Sequence, residues 1–126
     1  MKKVLFLVNA FFLLGLILLS SPAGAQFLRL DIKEFWCMDG RYHIEFSVVN
    51  KYTHDMQVTV AFKLFDEKNL FACKRVLLDV PAGADGSDPH NVSVEAPCRG
   101  LNAVLEGKLF DHDDRSRVGI WLMHCP

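Results

Sequence analysis

The densest group of candidate ligands in the chain is Asp111-His112-Asp113-Asp114, three carboxylates and an imidazole in four successive positions. Calcium is held by several oxygens spaced along one loop, and an EF-hand-like ladder would put an acceptor at Arg115 and a glycine at Ser116. Neither is present, so the run reads as a solvated loop that is exposed enough to serve as a contact. Five histidines, His43, His54, His90, His112 and His124, are scattered, with no H-x-x-x-H or H-E-x-x-H pair. His54, His90 and His112 fall in loops that the strand order derived below gathers at one end, where three imidazoles would suit zinc or copper. Serine catalysis needs its nucleophile on a constrained turn, but no G-x-S-x-G occurs and Ser87 and Ser116 lie in ordinary polar loops. Asp66 and Glu67 are neighbours in a hairpin loop with no apolar surroundings to raise a carboxyl pKa. The sequence thus predicts no catalytic residue, no cofactor and no resident metal. Asn91-Val92-Ser93 fits the glycosylation sequon, which matters only in a eukaryotic host.

Cysteine is the other reactive type. Cys37, Cys73, Cys98 and Cys125 are spaced 36, 25 and 27 residues apart. Structural zinc sites bring cysteines in close pairs and redox dithiols sit at C-x-x-C, so this spacing favours two disulfides over either. Disulfides imply an oxidising compartment, and the N-terminus supplies a route to one. Met1-Lys2-Lys3 is followed by an apolar run, Val4 to Leu19, and then by Ser20-Ser21-Pro22-Ala23-Gly24-Ala25. A basic start, an apolar stretch and a small-x-small ending are the parts of a secretory signal, with cleavage expected after Ala25. The compact basic start is bacterial in character, so periplasm or secretion is the expected destination. No Cys follows the cleavage site, so no lipid anchor is indicated, and no membrane contact is expected once the leader is removed.

Residues 26–126 then form one small domain. The 126-residue chain has 14 basic and 15 acidic side chains, and loss of Lys2 and Lys3 leaves 12 against 15, a net −3. A nucleic-acid binder would show a basic face, so that class is excluded from the expectations. The remaining Val, Leu, Ile and Phe content excludes disorder.

From Gln26 onward, apolar and polar residues alternate with period two in segments of six to ten, which predicts an all-β fold. Strand A covers Phe27–Phe35, B Arg41–Asn50, C Met56–Phe65, C′ Leu70–Val80, E Asn91–Glu95, F Leu101–Phe110 and G Arg117–His124. Met38-Asp39-Gly40 and Asp66-Glu67-Lys68-Asn69 are turns, and Pro81–His90 is the longest loop. Seven short antiparallel strands in about 100 residues match an immunoglobulin-like or fibronectin-III-like sandwich. By that analogy A-B-E form one sheet and C′-C-F-G the other. All four cysteines then fall at one end, with A over G and E over C′. Among three connectivities, Cys37–Cys125 with Cys73–Cys98 is the one that the stacking favours. The alternative, Cys37–Cys98 with Cys73–Cys125, would send its second bond from one sheet edge to the other. Trp36, beside Cys37, is expected to pack at the disulfide end.

Three runs share an order seen elsewhere: Phe46-Ser-Val-Val-Asn50, then Met56 to Asp66 closing on Phe62-Lys63-Leu64-Phe65-Asp66, then Val76-Leu-Leu-Asp-Val-Pro-Ala-Gly83. This resembles the FxLYD-type Ig-like domains of bacterial exported proteins, with Phe65 where Tyr is usual. In size, leader and strand pattern the chain is also similar to the bacterial interleukin-receptor-mimic family, small secreted proteins of fibronectin-III-like fold. The resemblance implies a secreted binding module, as a monomer or a dimer, and carries over no catalytic site.

The feature pointing to function is an excess of apolar residues at positions that the alternation turns to solvent. On the outer face of C′-C-F-G these are Ala61 and Phe65 from C, Phe71 and Leu77 from C′, Val104 and Phe110 from F, and Trp121 and Met123 from G, among Lys63, Arg75, Glu106 and Lys108. Aromatic and Met residues framed by charges describe an interaction surface. The expectation is a module that binds a protein partner, such as a host receptor-type protein, or a second copy of itself through Phe65, Phe71, Leu77, Val104, Phe110, Trp121 and Met123. Two other classes remain open: an inhibitor of a secreted or host hydrolase such as lysozyme, and a periplasmic metal binder using the loop histidines.

Overall fold

The computed structural model describes residues 27–126; the leader and its cleavage site lie outside the described residues. Six strands occur: β1 (Leu28–Met38), β2 (Arg41–Asn50), β3 (Met56–Asp66), β4 (Asn69–Val80), β5 (His90–Glu95) and β6 (Ala103–Asp111). They form two antiparallel three-stranded sheets, ordered β1-β2-β5 and β4-β3-β6. This is the expected sandwich with the expected A-B-E and C′-C-F sheets, one strand short. The seventh strand, expected at Arg117–His124, is instead a helix, α1 (Arg115–Trp121).

Alternation on the two central strands builds the core. Tyr42, Ile44, Phe46 and Val48 of β2 face Val58, Val60, Phe62 and Leu64 of β3, all buried. The rings of Phe46 and Phe62 meet edge-on, 5.3 Å between centroids, joining the layers. Each such side chain contributes about 1.5–3 kcal/mol on leaving water. At Gly107 of β6 the layers approach closely, since a Cβ there would lie 3.0 Å from Ile32 Cδ1 and Leu30 Cδ2 and 3.2 Å from Phe62 Cε1. A side chain at that position would require the Ile32, Leu30 and Phe62 side chains to shift.

Turn chemistry matches the hairpins. Asp39 and Gly40 both have positive φ, the conformation that lets a two-residue turn follow the twist of β1 and β2. Strands β3 and β4 run further than the sequence implied, pairing Asp66 with Asn69 and leaving a two-residue connection. At the opposite end, Asn50 is fully buried. Its Nδ2 donates to the carbonyls of His54, Val80 and Pro81, while its Oδ1 accepts from the Tyr52 N–H. One side chain therefore ties the β2–β3 connection to the end of β4.

The disulfides are Cys37–Cys98 and Cys73–Cys125, with Cα–Cα distances of 5.7 and 5.9 Å, which corrects the pairing favoured above. The correction follows from α1. Strand G would have carried Cys125 along a sheet edge to a place over β1, whereas the chain after β6 turns back across the outer face of β4-β3-β6 and delivers Cys125 to β4. Cys37 is then left to Cys98, three residues past the end of β5. That segment is also held by the Tyr42 hydroxyl, which accepts from the Arg99 N–H at 2.7 Å.

Candidate functional site

The outer face of β4-β3-β6 is where the sequence placed its interaction surface, and the ladder pairing defines that face. Thr59, Ala61, Lys63 and Phe65 of β3 lie beside Leu77, Arg75 and Cys73 of β4 and beside Phe110, Lys108, Glu106 and Val104 of β6. Helix α1 packs on its middle. Ala61, Phe110 and Val118 are buried together there, with Trp121 and Leu122 against them. The Trp121 and Phe110 rings meet edge-on at 6.0 Å, and the Lys63 ammonium lies 4.2 Å from the Trp121 ring centroid. Asp114 begins the helix, Val118 N–H donates to its carbonyl, and Leu122 N–H donates to Val118.

The seven residues expected on one open face are thus divided. Phe110 is covered by α1 and is 4% exposed. Trp121 sits on the helix that covers it. Phe71 is turned inward: the register of β3 and β4 shifts between Leu64 and Phe65, leaving Phe71 as an extra residue. Its ring packs beside Tyr42 at 5.8 Å, under the Arg99 guanidinium. Phe65 is half-buried at the far end of β3. Leu77 and Val104 remain outward on the two edge strands at 60% and 49% exposure, and Met123 is exposed just past α1. Trp36, next to Cys37 near the end of β1, is stacked on His43 of β2 at 5.1 Å and is 39% exposed.

A groove of about 660 Å³ opens between α1 and β4, lined by Gln57, Thr59, Arg75, Leu77, His112, Arg115 and Val118. Its charge is unusual for this molecule. Of six arginines among the described residues, Arg29, Arg41, Arg99 and Arg117 pair with Asp31, Glu95, Asp66 and Asp114 at 2.9–3.7 Å. Arg75 and Arg115 have no carboxylate partner among the described residues, and both line the groove. His112 is taken by its neighbours, with Nδ1 3.4 Å from Asp111 and Nε2 3.0 Å from Asp113. No family model and no curated protein sequence matches this chain. What the groove can do is therefore read from its own chemistry: two guanidiniums, two neutral polar side chains and His112, beside the apolar Leu77 and Val118, suit an anionic group carried beside an apolar one.

The histidines are at the expected end but do not converge. His54 lies against Tyr52, His90 against Phe46 and His112 between two aspartates. Asp111, His112 and Asp113 are the one group of potential ligands close enough to share an ion among the described residues, and their mutual contacts account for the arrangement. Sequence reasoning missed the groove because it missed α1. The available signal was Val118, Trp121 and Leu122 at i, i+3 and i+4, one face of a helix.

Elsewhere, two carboxylates are held below their ordinary range. The Arg29 guanidinium hydrogen-bonds Asp31, and the Ser87 hydroxyl and backbone N–H hydrogen-bond Asp85, so each contact favours the charged form. Asp85 bridges to Val49 and anchors the long loop against β2. Two disulfides indicate an oxidising environment. No helix among the described residues is long and apolar enough to cross a membrane.

Proposed function

We propose that this chain is an exported, disulfide-stapled binding module that receives a protein partner on the outer side of the β4-β3-β6 sheet, with an acidic side chain of the partner seated in the groove between α1 and β4. The observation that carries this reading is the pair of uncompensated arginines, Arg75 and Arg115, on one groove whose lining includes the exposed Leu77. Every other arginine described is neutralised within the chain. A charge left without a partner on a concave, partly apolar surface is well suited to electrostatic complementarity with a ligand. Export by the 1–25 leader and kinship with FxLYD-type domains, carried by Phe62–Asp66, belong to the same proposal.

The test is photo-crosslinking in the native host, with a benzophenone amino acid at Leu77 or, on the opposite sheet, at Ser93. A discrete adduct is expected from Leu77 and none from Ser93, and the Leu77 adduct should vanish in the Arg75→Glu/Arg115→Glu variant. Absence of an adduct at Leu77, or one that survives double charge reversal, overturns the reading.

A further inference from the structure

The sandwich has four edge strands, and three are protected against pairing with another chain. Strand β1 carries a register shift between Ile32 and Glu34. Strand β4 carries the Phe71 irregularity and the Cys73 disulfide. Strand β5 is only six residues long. Bulges and shortness are recognised ways of blunting an edge. Strand β6 has neither. It runs nine residues from Ala103 to Asp111, without proline, in unbroken register with β3 from end to end. Because α1 takes the place of a seventh strand, the other side of β6 has no strand beside it.

The sequence of this open edge is complementary to itself. Around Gly107 it reads Val104-Leu105-Glu106-Gly107-Lys108-Leu109-Phe110. Place a second copy of β6 antiparallel to the first, with the two Gly107 residues opposite each other. Glu106 of each copy then faces Lys108 of the other, Leu105 faces Leu109, and Val104 faces Phe110. Residues paired this way lie on the same face of the sheet, because the two-fold axis is perpendicular to it. A shift of one residue would destroy both charge pairs and mix the faces.

Three exposed apolar side chains lie near this edge. Ile32, 40% exposed, reaches over Gly107 from β1. Ile120, 65% exposed, borders a recess of about 300 Å³ formed with Lys108, Phe110, Arg117 and Trp121. Val104 of a second copy would arrive opposite Phe110, beside that recess. We infer that β6 is a homodimerisation edge: two copies of this chain join β6 to β6 about Gly107 into one six-stranded sheet, β4-β3-β6-β6-β3-β4. The contact is separate from the arginine groove, which lies on the β4 side of α1, so either proposal can fail without the other.

The experiment is light scattering on a sizing column across micromolar concentrations, using protein expressed from the full-length sequence in an exporting bacterial host and purified oxidised. Wild type is expected at twice the protomer mass. Glu106→Lys and Lys108→Glu, both at exposed strand positions, each place like charges opposite one another twice per dimer. Each should weaken dimerisation by on the order of tenfold or more. The double variant Glu106→Lys/Lys108→Glu restores opposite pairs and should restore the dimer. Circular dichroism of the single variants checks that they stay folded as monomers. A monomeric wild type, a dimer indifferent to both single reversals, or a double variant that stays monomeric would each overturn the inference, the first leaving the edge to a foreign strand or to none.

Discussion

Two side chains set how the end of the sandwich opposite the disulfides behaves. Asn50 makes four hydrogen bonds from a fully buried position, three as donor to carbonyls, of which the bond to Val80 is buried and those to His54 and Pro81 are part-buried. Replacing it with alanine strands those carbonyls and the Tyr52 N–H, and should cost about 2–3 kcal/mol in urea unfolding. Its place at the end of a strand, ahead of the Pro-x-Gly run, was legible in the sequence, but its role was not, because its partners come from two loops and the end of β4. Asp85 adds a pH dependence. Its folded pKa lies below its unfolded value of about 3.8, so its contribution is fully present above that value and is lost as pH falls through the lower, folded one. In melts from pH 6 to pH 2, Asp85→Asn should therefore melt below wild type at pH 6, and the gap should close toward the acid end. A constant gap would show that the Asp85 charge contributes nothing to the loop.

Helix α1 has only seven residues, too few to persist alone in water. Two things hold it: a small cluster around Val118 and the covalent tie of Cys125 to Cys73. The Cys73→Ser/Cys125→Ser variant should lose about 2–4 kcal/mol of stability. By hydrogen exchange its Val118 and Leu122 amides should open while those of β2 and β3 stay protected. Unchanged protection in α1 would mean that packing alone suffices. This element is also where the sequence was misread. Six strands were legible because Leu28–Ile32, Tyr42–Val48 and Val58–Leu64 alternate cleanly and end at real turns. Arg117–His124 offered Val, Ile and Trp, types that favour strands, with a glycine in the middle that argues against a helix. What decided the outcome was the tertiary surface waiting for it, Ala61 and Phe110, which no local pattern shows. The disulfide error followed from this one, and so did the expectation of a single open apolar face. The inward turn of Phe71 was hidden differently: a bulge inserts one residue without changing the composition that a reader sees.

Over the whole molecule, a domain of about 100 residues relies on its two cross-links as well as on its core. Cys37–Cys98 pins the passage between the sheets, and Cys73–Cys125 pins α1 to β4. Reducing both should lower the melting temperature by on the order of 20 °C, and alkylated protein should not refold to the native spectrum at physiological temperature. The placement of the aromatic residues has a practical outcome as well. The two tryptophans stand on opposite outer surfaces, Trp36 stacked on an imidazole and Trp121 beneath an ammonium. Each is thus a built-in optical reporter for its own side. In a Trp36→Phe protein the emission follows the docking of α1 alone. In a Trp121→Phe protein it comes from Trp36 alone and follows the outer surface of β1-β2-β5. Both surfaces can then be watched during partner binding with no attached dye.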